Sequence, residues 1–103
     1  MFARTVTIRL KPSGVTEFNR ILEKEILPLL QKLFRDEMSL VASNGSEVIG
    51  ISLWNRKEDA EAYNRTAYPE VQKLLTKVSE GTPQVQNYEV GTSTIHKVTA
   101  RGV

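Results

Sequence analysis

Residues 48–63 constrain the fold most. Val48-Ile49-Gly50-Ile51-Ser52-Leu53 is a β-branched, apolar run that ends on Trp54, the only tryptophan, and passes directly into Asn55-Arg56-Lys57-Glu58-Asp59. Asn55 with Glu58 three positions later is a capping-box pattern, and Glu58 and Asp59 put negative charge in a first helical turn, where the helix dipole favours it. The spacing predicts a strand that feeds a helix without an intervening loop. The other segments have to be arranged around that pair.

Taken in order, residues 2–10 alternate, with Val6, Ile8 and Leu10 on one side and Thr5, Thr7 and Arg9 on the other, as a half-buried strand does. Lys11-Pro12-Ser13-Gly14 is a turn. From Val15 to about Lys32, Phe18, Ile21, Leu22, Ile26, Leu29 and Leu33 form a helical apolar stripe, and Pro28 predicts a kink or break near Ile26 or Leu27. Residues 36–43 alternate again, and Asn44-Gly45 is a hairpin signal joining them to residues 48–54. Tyr68-Pro69 interrupts the helix after Asn55 and starts another, with Val71, Leu74, Leu75 and Val78 as its apolar face and Gly81 as its end. A last strand is expected over residues 85–98. The order β-α-β-β-α-β predicts an α+β, ferredoxin-like domain: one four-stranded antiparallel sheet with helices on one face. Residues 1–98 are expected to form that single domain, with 99–103 as a frayed tail.

Composition narrows the function classes. The chain has 103 residues, no cysteine, one histidine and a formal charge of +2. Without cysteine there is no disulfide, thiolate metal site or cysteine nucleophile. With one histidine, zinc or haem ligation is not expected, and no metal or cofactor is implied. The basic residues form no dense block, which argues against nucleic-acid binding. No apolar run approaches the ~18 residues of a membrane span, and a cytoplasmic location is expected.

The two faces of the sheet differ. Apolarity assigns Val6, Ile8, Leu10, Met38, Leu40, Ile49, Ile51, Leu53, Tyr88 and Val90 to the helix side. Thr5, Thr7, Arg9, Glu37, Ser39, Val41, Val48, Gly50, Ser52 and Trp54 are then left on the other. Val41, Val48 and Trp54 there would face water uncovered, so a homodimer is predicted, with two-fold packing as the default.

The Arg/Thr-rich first strand, Leu27-Pro28-Leu29-Leu30, Ile51-Ser52-Leu53-Trp54 and Lys57-Glu58-Asp59-Ala60-Glu61-Ala62-Tyr63 together resemble the antibiotic biosynthesis monooxygenase-like domains of the dimeric α/β-barrel superfamily. The resemblance covers about residues 2–97. It implies two ferredoxin-like subunits whose sheets meet in a barrel, and a pocket between helices and sheet in each. Members include cofactor-free monooxygenases of polyketide quinols and haem-degrading enzymes. The haem-degrading pattern has Asn, Trp and His where this chain has Thr7 or Ile8, Tyr63 and Lys73. The first-strand Asn of the quinol-type members is also missing.

Two functions stay open. One is a cofactor-independent monooxygenase-like protein acting on a small aromatic or quinol-type molecule. The other is a non-catalytic dimeric binding or stress-related module of the same fold. His96 is the candidate catalytic base, because imidazole titrates near neutrality, although the end of a strand suits a surface position equally. Tyr63, Tyr68, Tyr88 and Trp54 are candidates for the wall of an aromatic-binding cavity, or else core. For Trp54, plugging the barrel is the expected role. Arg9, with Glu37, is a candidate partner for a polar substrate group, or a salt bridge across the dimer. A bicyclic ligand would need a cavity of roughly 300 Å³ or more.

Overall fold

The strand at the centre of the sequence argument is also next to the centre of the sheet. The structure, a computed structural model, describes residues 1–30 and 36–94. Its strands are β1 (Phe2–Arg9), β2 (Asp36–Val41), β3 (Glu47–Trp54) and β4 (Gln84–Glu89). The sheet order is β2-β3-β1-β4 and every pairing is antiparallel. Helices α1 (Val15–Ile21) and α2 (Leu27–Leu30) flank a π-helical segment, Leu22–Ile26; α3 (Lys57–Thr66) and α4 (Tyr68–Thr76) complete the helical layer. This is the expected α+β, ferredoxin-like arrangement.

Several local expectations change. The helix through Pro28 neither breaks nor stops. It widens first, so that the Leu27 amide donates to the Leu22 carbonyl five residues back. A proline lacks the amide proton and crowds the carbonyl four residues before it; the π turn immediately ahead of Pro28 shifts the bonding register where that clash would fall. Helix α3 starts one residue later than the capping box predicts, with Arg56 as N-cap and no side-chain cap bond; Arg56 instead pairs with Asp59 at 3.0 Å. Asn44-Gly45 does turn the chain, within a loop where Gly45 takes φ 72° and Asn44 Oδ1 accepts from the Ser46 amide at 3.0 Å. Gly81 has φ 79°, but lies beyond the end of α4 rather than at it. β4 closes at Glu89. The predicted extension to Val98 and the tail lie outside the described residues, apart from residues 90–94, which are not strand.

The largest correction concerns the faces. In the register, Phe2, Arg4, Val6 and Ile8 stand opposite Trp54, Ser52, Gly50 and Val48, and Glu37 and Ser39 stand opposite Ser52 and Gly50. This side meets the helices, in a core built from Phe2, Ile8, Leu10, Phe18, Ile21, Ile26, Val48, Trp54, Ala60, Tyr63, Tyr68, Val71, Leu75 and Val78. β1 is as expected, but β2, β3 and β4 are turned over. A one-residue shift in a period-2 pattern moves a whole set to the other face. Met38 and Leu40 are 51% and 47% exposed, and Ile49, Ile51 and Leu53 are only half-buried. On β2 and β3 the more apolar side is therefore the one turned away from the helices.

Candidate functional site

The helix-facing side of β3 is floored with small residues, and that leaves a space. Gly50 and Ser52 on β3 and Ser39 on β2 cannot fill the gap beneath the helices. Trp54 closes one end, and Phe18, Leu22, Ile26, Leu27, Val71 and Leu75 roof it with hydrocarbon. The cavity holds about 60 Å³. That falls well short of the roughly 300 Å³ needed for a bicyclic ligand, so such a ligand does not fit in this conformation. The π-helical segment supplies the Leu22 and Ile26 part of the wall; π bulges recur at functional sites.

One wall is polar. Arg4 is 3% exposed and reaches into the cavity between two rings, its guanidinium carbon 4.1 Å from the Tyr68 centroid and 5.0 Å from that of Tyr63. Its Nη2 donates to Asn64 Oδ1 of α3 at 3.0 Å. Among the described residues its Nε is buried without a hydrogen-bond partner, and the Tyr68 hydroxyl is buried beside Arg4 without a hydrogen bond of good geometry. Burying a guanidinium is expensive unless it is paired; here the pairing comes from an amide and two π faces. The rings form a continuous bank, with Trp54 to Tyr63 at 5.1 Å and Tyr63 to Tyr68 at 6.0 Å between centroids. Trp54 Nε1 donates to Ser52 Oγ at 2.9 Å, and Ser52 Oγ donates to the Arg4 carbonyl at 3.3 Å, which fixes the indole and the floor together.

Glu37 lines the same cavity from β2. Burial pushes its carboxyl up to about 8, with the charge of Arg4 working in the opposite direction. Burial also pushes Tyr63 up to about 12 and raises Tyr68, again against Arg4. Both phenols are therefore neutral hydroxyl groups around neutrality. With Glu37 largely protonated there, the pocket carries the uncompensated positive charge of Arg4.

The sequence candidates separate. Tyr63, Tyr68 and Trp54 come together on the pocket wall. Tyr88 does not. It is 50% exposed on the edge strand, its hydroxyl donates to Gln86 at 3.0 Å, and it borders a separate shallow recess beside Asn64 and Arg65. Arg9 is exposed at the end of β1, opposite Glu47 and on the other face from Glu37. The cation that shares a face with Glu37 is Arg4, through Ser52 between them. His96 lies outside the described residues. Arg4 and Asn64 are the site residues that the sequence reading passed over. The signal for Arg4 was present: extending the apolar alternation of Val6, Ile8 and Leu10 back along the strand puts a cation in the buried stripe.

Among the described residues, no group of three or more His, Cys, Asp or Glu side chains could hold a metal ion, and no helix is long and apolar enough to cross a membrane.

No family model and no curated relative matches the chain. Solved structures do. A monooxygenase of Streptomyces coelicolor, ActVA-Orf6, in complex with nanaomycin D, superposes with a TM-score of 0.74 at 14% identity, over 93% of this chain and 92% of that one. A protein of unknown function from Nitrosomonas europaea, NE2512, gives 0.73 at 14% identity, over 97% and 95%. An antibiotic biosynthesis monooxygenase gives 0.64 at 12% identity, over 87% and 98%. At these identities the likeness is one of fold, and the fold of this chain is that of the antibiotic biosynthesis monooxygenase proteins.

Proposed function

We propose that this chain is a cofactor-independent, monooxygenase-like protein that binds a small acidic aromatic molecule, a single-ring phenol or quinol, with its ionised oxygen held by Arg4. The observation that carries the reading is the buried Arg4 guanidinium, whose Nε has no hydrogen-bond partner among the described residues, in a largely apolar cavity lined by four aromatic rings. A phenolate supplies what that wall lacks: a negative oxygen for the guanidinium and a flat face for the rings. The small cavity limits the ligand to one ring and requires the roof to give way as the ring enters. Once ionised, an electron-rich ring can itself pass an electron to O₂, becoming an aryloxyl radical as O₂ becomes superoxide. The protein's part is to hold the anion in a water-poor site. The Streptomyces neighbour, a monooxygenase in complex with nanaomycin D, supports the reading by its fold.

The open sheet face belongs to the same proposal. Met38, Leu40, Ile49, Ile51 and Leu53 make an apolar patch that no helix among the described residues covers, and a second copy packed about a two-fold axis is the simplest cover.

A dimeric binding module without catalysis is the second reading, favoured by the small volume of the cavity. Oxygen consumption with a panel of single-ring quinols separates the two. The enzyme reading expects uptake above buffer that falls at least about tenfold in Arg4→Met. Binding without uptake leaves the module. Absence of both binding and uptake overturns the pocket reading.

A further inference from the structure

Glu37 is a carboxyl group on a wall that otherwise holds one cation and neutral groups. The row Arg4–Ser52–Glu37 crosses three adjacent strands, so the two outer backbones stand roughly 9–10 Å apart, two strand spacings. Ser52 between them is too short to fill the interval. The Glu37 Oε1 lies over the bare backbone of Gly50, 3.5 Å from where a Cβ on that glycine would sit. A carboxyl group and a guanidinium therefore line one cavity, with a floor of glycine and serine between the strands that carry them.

We propose that Glu37 is the proton acceptor of this pocket, taking the hydroxyl proton of a small phenol or quinol while Arg4 holds the oxygen left behind. The inference rests on the pocket reading above and adds the group that makes the anion. In the step, the O–H bond of the ligand breaks, an O–H bond on the Glu37 carboxylate forms, and no electron moves. The titratable or charged groups facing Glu37 across the cavity are Arg4 from β1, Tyr63 from α3 and Tyr68 from α4; β3 presents only Gly50, Ser52 and Trp54, and the first helical segment presents Phe18, Leu22, Ile26 and Leu27. Both tyrosines are held in their neutral form by burial, which leaves Glu37 as the base on this wall among the described residues. Its carboxyl, raised to about 8, is close to a phenol in acidity; the ionised form that accepts the proton is the minor one at neutrality and becomes the major one above about pH 8.

The test uses 4-nitrophenol as probe, with calorimetry in buffers of different ionisation enthalpy. At about pH 9 the free probe is already phenolate and Glu37 is ionised, so reaching the state in which the two acids share one proton requires uptake of about one proton per probe bound. The wild-type Kd should then rise about tenfold per pH unit above pH 8. Glu37→Gln should take up no proton and give a flat Kd, and Glu37→Asp, which keeps the charge but withdraws it by a methylene, should keep the uptake. Thermal melts establish that each variant is folded. If wild type and Glu37→Gln bind the probe with the same proton uptake and pH dependence, Glu37 is not the acceptor, although the pocket reading stands. If wild type does not bind the probe at all, both fall.

Discussion

The guanidinium of Arg4 sits 4.1 Å from the centre of the Tyr68 ring, and each residue also buries a polar atom with no hydrogen bond of good geometry among the described residues: Nε of one and the hydroxyl of the other. An unsatisfied buried hydroxyl destabilises a folded chain by about 1–3 kcal/mol. Tyr68→Phe removes that group and keeps the ring beneath the cation. The variant should be as stable as wild type or more so, by about 1 kcal/mol in urea unfolding, while binding a phenolate roughly tenfold more weakly for want of the hydroxyl. Loss of stability in Tyr68→Phe would mean that the hydroxyl is satisfied within the fold.

The cavity exists because β3 carries Gly50 and Ser52 where its neighbours carry larger side chains. A Cβ at Gly50 meets Glu37 Oε1 at 3.5 Å and the Val6 carbonyl at 3.9 Å, both ordinary contacts. Gly50→Ala should therefore fold and gain about 0.5–1 kcal/mol from the reduced freedom of the unfolded chain. Gly50→Val should fill the floor and reduce phenol affinity at least about tenfold with the fold retained. Circular dichroism and probe titration check both, and unchanged affinity in Gly50→Val would place the ligand elsewhere.

The order of elements was legible because each strand and helix has its own period, and the turn at Asn44-Gly45 has its own chemistry. The faces were not. Ile49, Ile51 and Leu53 look like core by hydropathy, and Gly50 and Ser52 like an outer face; within a single chain that inference is sound. It fails here because the helices pack over a cavity, whereas the apolar side is left for another surface. Trp54 was the contrary clue, a ring too large to leave facing water, and it is 2% exposed in the chain alone. Arg4 escaped notice for a related reason: a lone cation in an apolar stripe reads as a strand end until the tyrosines that shield it, 59 and 64 positions later, are brought onto it by α3 and α4.

Glu37 makes stability depend on pH in an unusual direction. Its carboxyl is raised from 4.5 to about 8 by burial, so over that window the folded state holds a proton that the unfolded state has released. Stability is then greatest at the acid end and falls as pH rises, by up to about 1.4 kcal/mol per unit, until the group ionises in both states above about 8. The full amplitude is on the order of a few kcal/mol, reduced by the solvent that still reaches the carboxyl. Glu37→Gln should flatten the profile and be the more stable protein at about pH 8. Urea midpoints measured across the window check this; parallel profiles for the two proteins would show that the carboxyl is solvated.

The open sheet face sets the last expectation. Met38, Leu40, Ile49, Ile51 and Leu53 occupy the side of the sheet that the described helices do not cover, and a stable two-fold interface hides roughly 1,000 Å² or more in total, with an apolar centre. Light scattering on the eluting protein should give twice the 11.6 kDa chain mass. Ile51 stands on the inner strand β3, near the middle of the patch, so Ile51→Lys should place a charge there and shift the mass to that of one chain, at a Kd raised by about a hundredfold or more. Arg9→Ala, at the exposed end of β1, should change it little. A wild-type mass of 11.6 kDa at micromolar concentration would mean that this face meets something other than its own copy.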